Sequence, residues 1–249
     1  MAEGGFVAPA GWVIYHFEET YSTNDLAREA GEAGAPERSV FVADHQTRGR
    51  GRMGRNWLEE SGSSLLFTIL FRRRLSESFL LTMLCSVAAA EAIDRMAGVR
   101  VEIKWPNDLM LQGRKLAGVL TETSWQLTEP FAVVGIGINV NFDPIGVDGI
   151  PDTATSLLRG TGQRVHRQQL LYEILLRIDS FLGMDPQRVE QEVQSRWAER
   201  LWHRRQKVAV VEGSQTLEGV FEGVAEDGAL LLRLDDGSLQ ELRVGDLVI

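Results

Sequence analysis

The pattern of apolar residues and turn signals in the amino-acid sequence changes near Arg204. Upstream of this residue, long apolar segments have helical or strand periodicity. Downstream, short alternating segments such as "KVAVVE" and "ALLLRLD" are separated by Glu-Gly, Asp-Gly and Asp-Asp-Gly. These glycine pairs are typical of tight hairpin turns between strands. The pattern therefore predicts a small β-barrel over residues 203–249 and a separate, larger domain over residues 1–202.

The larger domain is predicted to be an α+β fold with a mixed β-sheet. The chain has 249 residues, of which 44% are hydrophobic, so it can bury a sizeable core. Two strands are expected to meet at a turn at Gln112-Gly113, and Pro106 interrupts the first of them. The segment "ATSLLRGTG" is expected to be a connector. Further strands are predicted at residues 11–19, 39–46, 65–73 and 131–142, and helices after residue 22, at 78–97, at 167–182 and at 186–201.

Composition argues against several classes of protein. The net charge of −9 opposes general binding to nucleic acid, because neutralisation of phosphates supplies most of that affinity. Cys85 is the only cysteine and the four histidines are scattered, so neither a disulfide nor a protein-bound zinc is predicted. The apolar runs are too short to span a membrane, and "MAEGGFVAPAG" lacks the features of a signal peptide. We therefore expect a cytoplasmic protein.

The segment "RGRGRMGR" contains the dinucleotide-binding pattern G-x-G-x-x-G at Gly49, Gly51 and Gly54. In that fold the glycines lead from a strand into a helix. Here the turn-like "NWLEESGSS" follows, so the sequence argues against a dinucleotide site. Glycines let the backbone bend, while arginines bind carboxylates and phosphates. We expect a mobile lid over an anionic ligand, the alternative being a solvated basic loop. The arginines are Arg48, Arg50, Arg52 and Arg55.

A second segment, "KWPNDLMLQGRKLAGVL", embeds polar residues in strand-like apolar sequence. Such placement is costly unless a ligand or partner satisfies the polar groups. The alternative is a turn at residues 106–108 with a lysine at the surface. The embedded residues are Lys104, Asn107, Asp108, Arg114 and Lys115.

Two shorter segments are compatible with either a site or plain structure. "STN" at residues 22–24 precedes a predicted helix, where it binds a ligand or only caps the helix. "GIGIN" at residues 135–139 is strand-like. A strand tolerates such glycines where a ligand or another backbone approaches closely.

These segments, in this order, resemble the biotin protein ligases, also called biotin-[acetyl-CoA-carboxylase] ligases. The resemblance rests on "STN", on "Q-x-x-GRGRxGR-x-W" from Gln46 to Trp57, on "KWPND" with "RKLAG", and on "GIGIN". Motifs support it from Tyr15 to Asn141, and it extends through the C-terminal barrel. It implies a catalytic fold like that of class II aminoacyl-tRNA synthetases, followed by an SH3-like β-barrel. Bifunctional relatives carry an N-terminal winged-helix domain; here the first strand begins near Gly11, which implies a monofunctional ligase without repressor activity.

The resemblance implies a two-step reaction. Biotin and ATP form biotinyl-5′-AMP and pyrophosphate, and biotin then passes to one lysine of a carrier protein. The first step needs positive charge more than acid–base chemistry, because an ionised carboxylate must approach a polyanion. By resemblance, Lys115 contacts the carboxylate and α-phosphate, Arg50 and Arg52 hold the carboxylate and phosphates, and Arg55 orders the lid. Asp108 orients or deprotonates the acceptor lysine, or supports the Mg²⁺ that ATP carries.

The resemblance also implies two overlapping sets of binding residues. Trp57 is expected to stack on adenine, the alternative being a core aromatic. The biotin-binding residues are Ser22, Thr23, Asn24, Gln46, Gly49, Arg50, Arg52, Lys115 and Gly118. The nucleotide-binding residues are Arg52, Arg55, Trp57, Asn107, Lys115 and Asn139.

The implied ligands are biotin as substrate, ATP and Mg²⁺. The implied partner is a biotin carboxyl carrier domain of the acetyl-CoA carboxylase or pyruvate carboxylase type; neither DNA nor a membrane is expected, and a homodimer stays open. A lipoate or octanoate ligase is an alternative function, because it shares the catalytic architecture, although its pocket needs no partner for a ureido ring. A non-catalytic module that binds anions or RNA is another, and the net charge disfavours it.

Overall fold

The computed structural model describes residues 5–72, 78–124, 129–225 and 227–248. Within these ranges, seven strands form one sheet: β1 (Val13–Thr20), β2 (Ser39–Gln46), β3 (Ser64–Phe71), β4 (Glu102–Lys104), β5 (Asp108–Leu111), β6 (Arg114–Ser124) and β7 (Phe131–Asn139). Their order across the sheet is β1-β2-β3-β7-β6-β5-β4. β1 runs parallel to β2 and the remaining neighbours are antiparallel, so the predicted mixed sheet is confirmed.

Helices cover both faces of this sheet, so its central strands are buried on both sides. On one face, α1 (Thr23–Glu32) packs on β2, β3 and β7. On the other face lies α2 (Ser78–Ala97), whose sequence is apolar almost all round because it is enclosed between the sheet and two more helices. These are α4 (Arg167–Leu182) and α5 (Pro186–Ala198), which follow the short α3 (Leu157–Thr161). Among the described residues, no helix is long and apolar enough to cross a membrane.

The C-terminal part forms a second, antiparallel sheet. Its strands are β8 (Lys207–Glu212), β9 (Gln215–Val224), β10 (Leu230–Arg233), β11 (Leu239–Leu242) and β12 (Asp246–Val248), in the order β11-β10-β9-β8-β12. The small C-terminal β-domain of the predicted fold class is confirmed. The limits of the two domains, 1–202 and 203–249, stay a prediction. The indole Nε1–H of buried Trp105 donates to the carbonyl of Gly228 at 3.0 Å, which attaches this sheet to the larger part.

The structure corrects four details of the predicted elements. The interrupted strand is two strands, β4 and β5, separated by the cis Trp105–Pro106 bond. The connector "ATSLLRGTG" contains α3, and α5 ends at Ala198 instead of continuing to residue 201. It ends there because the chain turns to pair with β4: Ile103 N–H donates to Arg200 O at 2.7 Å. The final strand-like segment splits into β11 and β12.

The turn at Gln112-Gly113 is confirmed. Both residues are left-handed, with φ of 53° and 74°, as a two-residue hairpin turn requires. This turn brings β5 against β6 and places Asp108 opposite Gly118.

Candidate active site

A cavity of about 410 Å³ opens beside the sheet, within the size range of small-molecule sites. The start of α1, the end of β2, the β4–β5 turn, β6 and β7 border it. The arginine–glycine loop, residues 48–57, lies across it. The lining includes every predicted ligand-binding residue except Gly49: Ser22, Thr23, Asn24, Gln46, Arg50, Arg52, Arg55, Trp57, Asn107, Asp108, Lys115, Gly118 and Asn139.

One end of the cavity, the polar end, is formed by Ser22, Thr23, Asn24 and Gln46. The first three residues are at most 5% exposed. Ser22 occupies the N-cap position of α1, but its side chain makes no capping hydrogen bond. The Thr23 backbone N–H and hydroxyl both donate to Gln46 Oε1, at 2.7 and 3.0 Å. "STN" is therefore more than a helix cap, because it supplies polar groups to the cavity.

A buried chain of hydrogen bonds fixes the amide of Asn24. Thr68, on the central strand β3, has one hydroxyl proton and lies 2.7 Å from Asn24 Oδ1. Because that oxygen can only accept, the proton of Thr68 is directed to it. On its other side, Asn24 Nδ2 donates to Glu122 Oε2 at 2.7 Å. The polar end is thus held rigidly between β3 and β6.

The guanidinium of Arg50 lies at the same end and is already paired. Its Nη2 is 2.7 Å from Asp25 Oδ1 and 3.0 Å from Glu122 Oε2. One positive and two negative charges meet here, so the local balance does not attract an anion. The predicted contact of Arg50 with a ligand carboxylate stays a prediction, and this pairing favours the opposite end of the cavity for anionic groups.

The glycines of "GIGIN" leave room for two side chains, and because Gly135 and Gly137 also line the cavity, the close approach of a ligand stays a prediction. A Cβ at Gly135 would overlap Asn24 Oδ1. A Cβ at Gly137 would lie 2.6 Å from the Trp57 indole, and one at Gly118 would lie 3.1 Å from it. Trp57 therefore packs against the backbone of β6 and β7 and forms part of the cavity wall. Its Nε1 is buried with no hydrogen-bond partner among the described residues.

The other end, the cationic end, is formed by Lys104, Lys115, Arg52 and Arg55, with two carboxylates among them. Lys115 Nζ lies 2.7 Å from Asp108 Oδ1. Lys104 faces the same carboxylate, because it is paired with Asp108 in the β4–β5 ladder. Burial lowers the pKa of Lys104 and of Arg52. The protein has thus placed partly desolvated positive charges together, an arrangement that favours an anionic ligand.

Two asparagines stand beside this end. Asn107 Oδ1 accepts from Arg52 Nη1 at 3.1 Å, and its Nδ2 donates to Val119 O at 2.7 Å. Asn139 Nδ2 donates to Thr155 O at 2.9 Å, whereas its buried Oδ1 has no partner among the described residues. An unpaired buried acceptor that lines a cavity is free to receive a hydrogen bond from a ligand.

Comparison with known proteins identifies the family. The profile of the biotin/lipoate A/B protein ligase family matches residues 17–141. The chain belongs to this family. In addition, the profile of the biotin protein ligase C-terminal domain matches residues 206–248. The resemblance inferred from the motifs is therefore confirmed.

Individual relatives of this ligase agree over most of its length. The bifunctional ligase/repressor BirA of Bacillus subtilis is 34% identical over 240 residues, which cover 90% of this chain and 70% of the relative. Biotin–[acetyl-CoA-carboxylase] ligase of Mycobacterium tuberculosis is 31% identical over 257 residues, which cover 97% of this chain and 91% of the relative. The solved structure of the biotin protein ligase from Aquifex aeolicus, in complex with biotin and ATP, is similar to this chain with a TM-score of 0.81 and 29% identity. The match covers 94% of this chain and 97% of the Aquifex chain.

Among the motif residues that lie outside the cavity lining are Arg48, Arg114 and Gly49. Arg48 is exposed and its guanidinium lies 5.3 Å from the Tyr21 ring centroid. Arg114 donates to the backbone carbonyl of Asp152. Gly49 is buried under the chain, where a Cβ would lie 2.7 Å from Trp57 O. Gly49 therefore permits the loop to fold on itself, and its predicted direct contact with biotin stays a prediction.

Several lining residues of the ligase carry no motif signal. They include Trp202, Asp246 and five residues of the loop before α3, namely Gly149, Ile150, Pro151, Thr153 and Ala154. The loop belongs to a segment that reads as a turn-rich connector, and the two single residues are distant in sequence. Lys104 was identified from the sequence as a polar residue in apolar surroundings, but no ligand contact was assigned to this lysine. Among the described residues, no cluster of three or more His, Cys, Asp or Glu is arranged to hold a metal ion.

Proposed function

We propose that this protein is an ATP-dependent biotin ligase, which forms biotinyl-5′-AMP and transfers biotin to a lysine of a biotin carboxyl carrier domain. The observation that carries the proposal is that one cavity joins a polar end to a cationic end. Biotin has the same division, with a neutral ureido ring at one end and a carboxylate at the other. The relative from Mycobacterium tuberculosis and the Aquifex aeolicus complex with biotin and ATP support the assignment.

The polar end fits the ureido ring, which needs both donors and acceptors. Because Gln46 Oε1 is bound to Thr23, the amide nitrogen of Gln46 is left to donate to a ureido oxygen. The hydroxyls of Ser22 and Thr23 complete the set. Trp57, with Leu120 and Ile136, supplies the apolar wall for the thiophane ring and its chain.

The cationic end fits the first chemical step. A carboxylate oxygen of biotin attacks the α-phosphorus, a C–O–P linkage forms, and the bond to the β-phosphate breaks to release pyrophosphate. Because both reactants are anions, positioning and positive charge are the required contributions. Lys115 and Arg52 would lie at the reacting groups, while Lys104 and Arg55 neutralise the phosphates. Mg²⁺ would be held mainly by the phosphates, with Asp108 as the nearest protein ligand.

In the second step the acceptor amine attacks the biotinyl carbonyl and AMP leaves. The amine must lose a proton, and an ordinary lysine is almost entirely protonated at neutral pH. Asp108 is our candidate to orient this amine and receive the proton. Its position is fixed by Lys115, so the carboxylate stays beside the reacting groups.

The finer proposals concern organisation and partners. We assign the catalytic domain to residues 1–202 and the barrel to residues 203–249. The acceptor is a carrier domain of an acetyl-CoA carboxylase or pyruvate carboxylase, and the site of action is the cytoplasm. We assign no DNA-binding role, and a homodimer is left to be measured.

A lipoate or octanoate ligase is the second candidate, because the matched family includes ligases for lipoate. The buried polar end disfavours it. An unbranched acyl chain would leave the Gln46 amide nitrogen and the Ser22 hydroxyl without a ligand partner, at a cost of about 1–3 kcal/mol each. The match to the C-terminal domain of biotin ligases points the same way.

Pyrophosphate release tests the proposal. The purified protein is incubated with ATP, Mg²⁺ and biotin, lipoate or octanoate in separate reactions, and products are identified by mass spectrometry. We expect pyrophosphate and biotinyl-adenylate with biotin alone. Formation of lipoyl- or octanoyl-adenylate at a comparable rate would favour the second candidate, and no adenylate with any acid would refute both.

A further inference from the structure

Asp246 belongs to the last strand of the C-terminal sheet, yet it lines the cavity of the larger part. Its carboxylate pairs with two arginines of the arginine–glycine loop. Oδ2 is bound to Arg55 Nη2, and Oδ1 lies 3.7 Å from Arg52 Nη1. The preceding carbonyl, of Gly245, accepts from Arg52 Nη2 at 3.3 Å. Two adjacent residues of the barrel, Gly245 and Asp246, therefore bind the arginine–glycine loop.

Other contacts, away from Asp246, attach the barrel to the rest of the molecule. Trp105, which is 1% exposed, donates to Gly228 O on the barrel, and Phe79 packs against the same glycine so closely that a Cβ there would overlap its ring. Asp246 is also set in place by the fold of the barrel. A Cβ at Gly245 would lie 2.8 Å from Val210, so the chain makes a tight corner just before Asp246. A fixed barrel thus presents a carboxylate to a loop on another domain.

The two arginines differ in what else holds them. Arg52 has Asn107 and the Gly245 carbonyl as further partners. The side chain of Arg55 is 62% exposed, and Asp246 is the charged partner recorded for it in the described part of the chain. Without this carboxylate, Arg55 would be free to leave the cavity and the loop would lose its attachment at this end. A half-buried Arg52 would also lose a nearby counter-charge.

We propose that Asp246 is a positioning residue that fastens the arginine–glycine loop over the cavity and aims Arg52 at the reacting groups. The proposal rests on the proposed ligase activity. Its consequence is specific to a two-step enzyme, because biotinyl-adenylate is a mixed anhydride that water hydrolyses. A fastened loop excludes water and retains the intermediate until the carrier arrives. A loosened loop releases it or admits water, so ATP is consumed without transfer.

The test compares Asp246→Asn with Asp246→Glu, which keeps the charge, and with Asp227→Asn, which removes a barrel carboxylate paired with Arg243. Pyrophosphate released and biotin transferred to an apo-carrier domain are measured in the same reaction. For Asp246→Asn we expect the ratio of pyrophosphate to transferred biotin to rise about two- to fivefold, the range for loss of a partly exposed ion pair. Asp246→Glu should restore most of the coupling, and Asp227→Asn should keep the wild-type ratio.

A second readout separates positioning from competition. If Asp246 only competes with phosphates for the arginines, Asp246→Asn would lower the KM for ATP and leave the ratio unchanged. That result, obtained with a variant that unfolds at the same temperature as Asp227→Asn, would overturn the proposal. A raised ratio in Asp227→Asn as well would also overturn it, because the effect would then come from the barrel in general. Failure of the ligase assignment is distinct, since wild-type protein would then form no adenylate.

Discussion

Lys115 and Asp108 stand on adjacent strands with their charges in contact, and Lys104 faces the same carboxylate from the third strand. Three ionisable groups are thereby held in one small region, which a β-hairpin achieves more rigidly than a loop. In the proposed reaction each lysine supplies positive charge to anionic reactants, and Asp108 offsets the repulsion between the two ammonium groups. Our proposal assigns the lysines to the first step and Asp108 to the second.

Removal of the Lys115 ammonium should slow the first step most. For Lys115→Ala we expect pyrophosphate release with biotin to fall about 100-fold, as for other lost donors at a developing charge. Lys207→Ala is the matched control, because Lys207 is 76% exposed and pairs only with surface Asp235 in the described structure. An unchanged rate in Lys115→Ala would exclude Lys115 from the chemistry.

Asp108 should matter for transfer more than for binding. With biotinyl-adenylate supplied preformed, transfer from Asp108→Asn to the carrier is expected to be about 100-fold slower than from wild type, because the acceptor amine loses its proton acceptor. Asp152→Asn, at an exposed carboxylate near the cavity, serves as the control. Full-rate transfer by Asp108→Asn would rule out this role.

The pH dependence should report Lys104. Burial lowers its pKa below the ordinary 10.5, so as pH rises the ammonium loses its proton at a lower pH than a surface lysine does. Because the charged form attracts phosphates, kcat/KM for ATP should fall as pH rises through this lowered value. In Lys104→Arg the charge persists, and the fall should move to higher pH. Profiles that coincide for wild type and Lys104→Arg would contradict this assignment.

At the scale of elements, β7 shows how a strand is shaped by what lies on it. Its two glycines, Gly135 and Gly137, allow Asn24 and Trp57 to lie directly on the backbone. The cavity therefore has one wall built from helix α1 and one from the arginine–glycine loop, both resting on the same strand. Substitution of either glycine should therefore reduce ligand affinity more than it reduces the stability of the fold.

Gly135→Ala should weaken biotin binding. The added methyl group would displace Asn24, which is bound to Thr68 and Glu122, and so disorder the polar end. We expect an affinity loss of about tenfold or more by calorimetry, corresponding to one lost buried hydrogen bond. Gly183→Ala is the control, since its Cβ would meet only ordinary contacts and its φ is −80°. Equal biotin affinity in both variants would contradict the role given to Gly135.

Local pattern predicted the elements better than it predicted the site. α2 and α4 were predicted with the bounds observed, because their apolar residues recur at helical spacing over 20 and 16 residues and a glycine follows each helix. Alternation with glycine places all the arginines alike, so spacing alone could not distinguish Arg48, which packs on Tyr21, from Arg50, which reaches two carboxylates. Only the resemblance assigned Arg50, and not Arg48, to the ligand. Asp246 could not be found at all, since only the docking of the barrel brings it to the cavity.

At the scale of the molecule, two sheets share one site. The larger part carries most of the residues that line the cavity, and the barrel adds Asp246 to the lining, while Trp105 and Phe79 attach the barrel. Such an arrangement makes barrel docking part of the active site. Stability and activity should therefore be linked through the Trp105 contact.

Trp105→Phe should destabilise the protein by about 1 kcal/mol more than Trp12→Phe in urea unfolding, because only the first loses a hydrogen bond. Trp12 is also buried, and its Nε1 has no hydrogen-bond partner in the described part of the chain, so both variants lose similar volume. Identical free energies of unfolding would mean that the bond to Gly228 contributes nothing.

Isotope transfer tests the joining of two anions in one cavity most directly. Biotin labelled with ¹⁸O in both carboxylate oxygens is turned over with ATP and an apo-carrier domain, and AMP is analysed by mass spectrometry. If the carboxylate attacks the α-phosphorus as the cationic end implies, each AMP carries one ¹⁸O. Unlabelled AMP, with carrier still biotinylated, would show that no bond forms between the carboxylate and that phosphorus and would contradict the account.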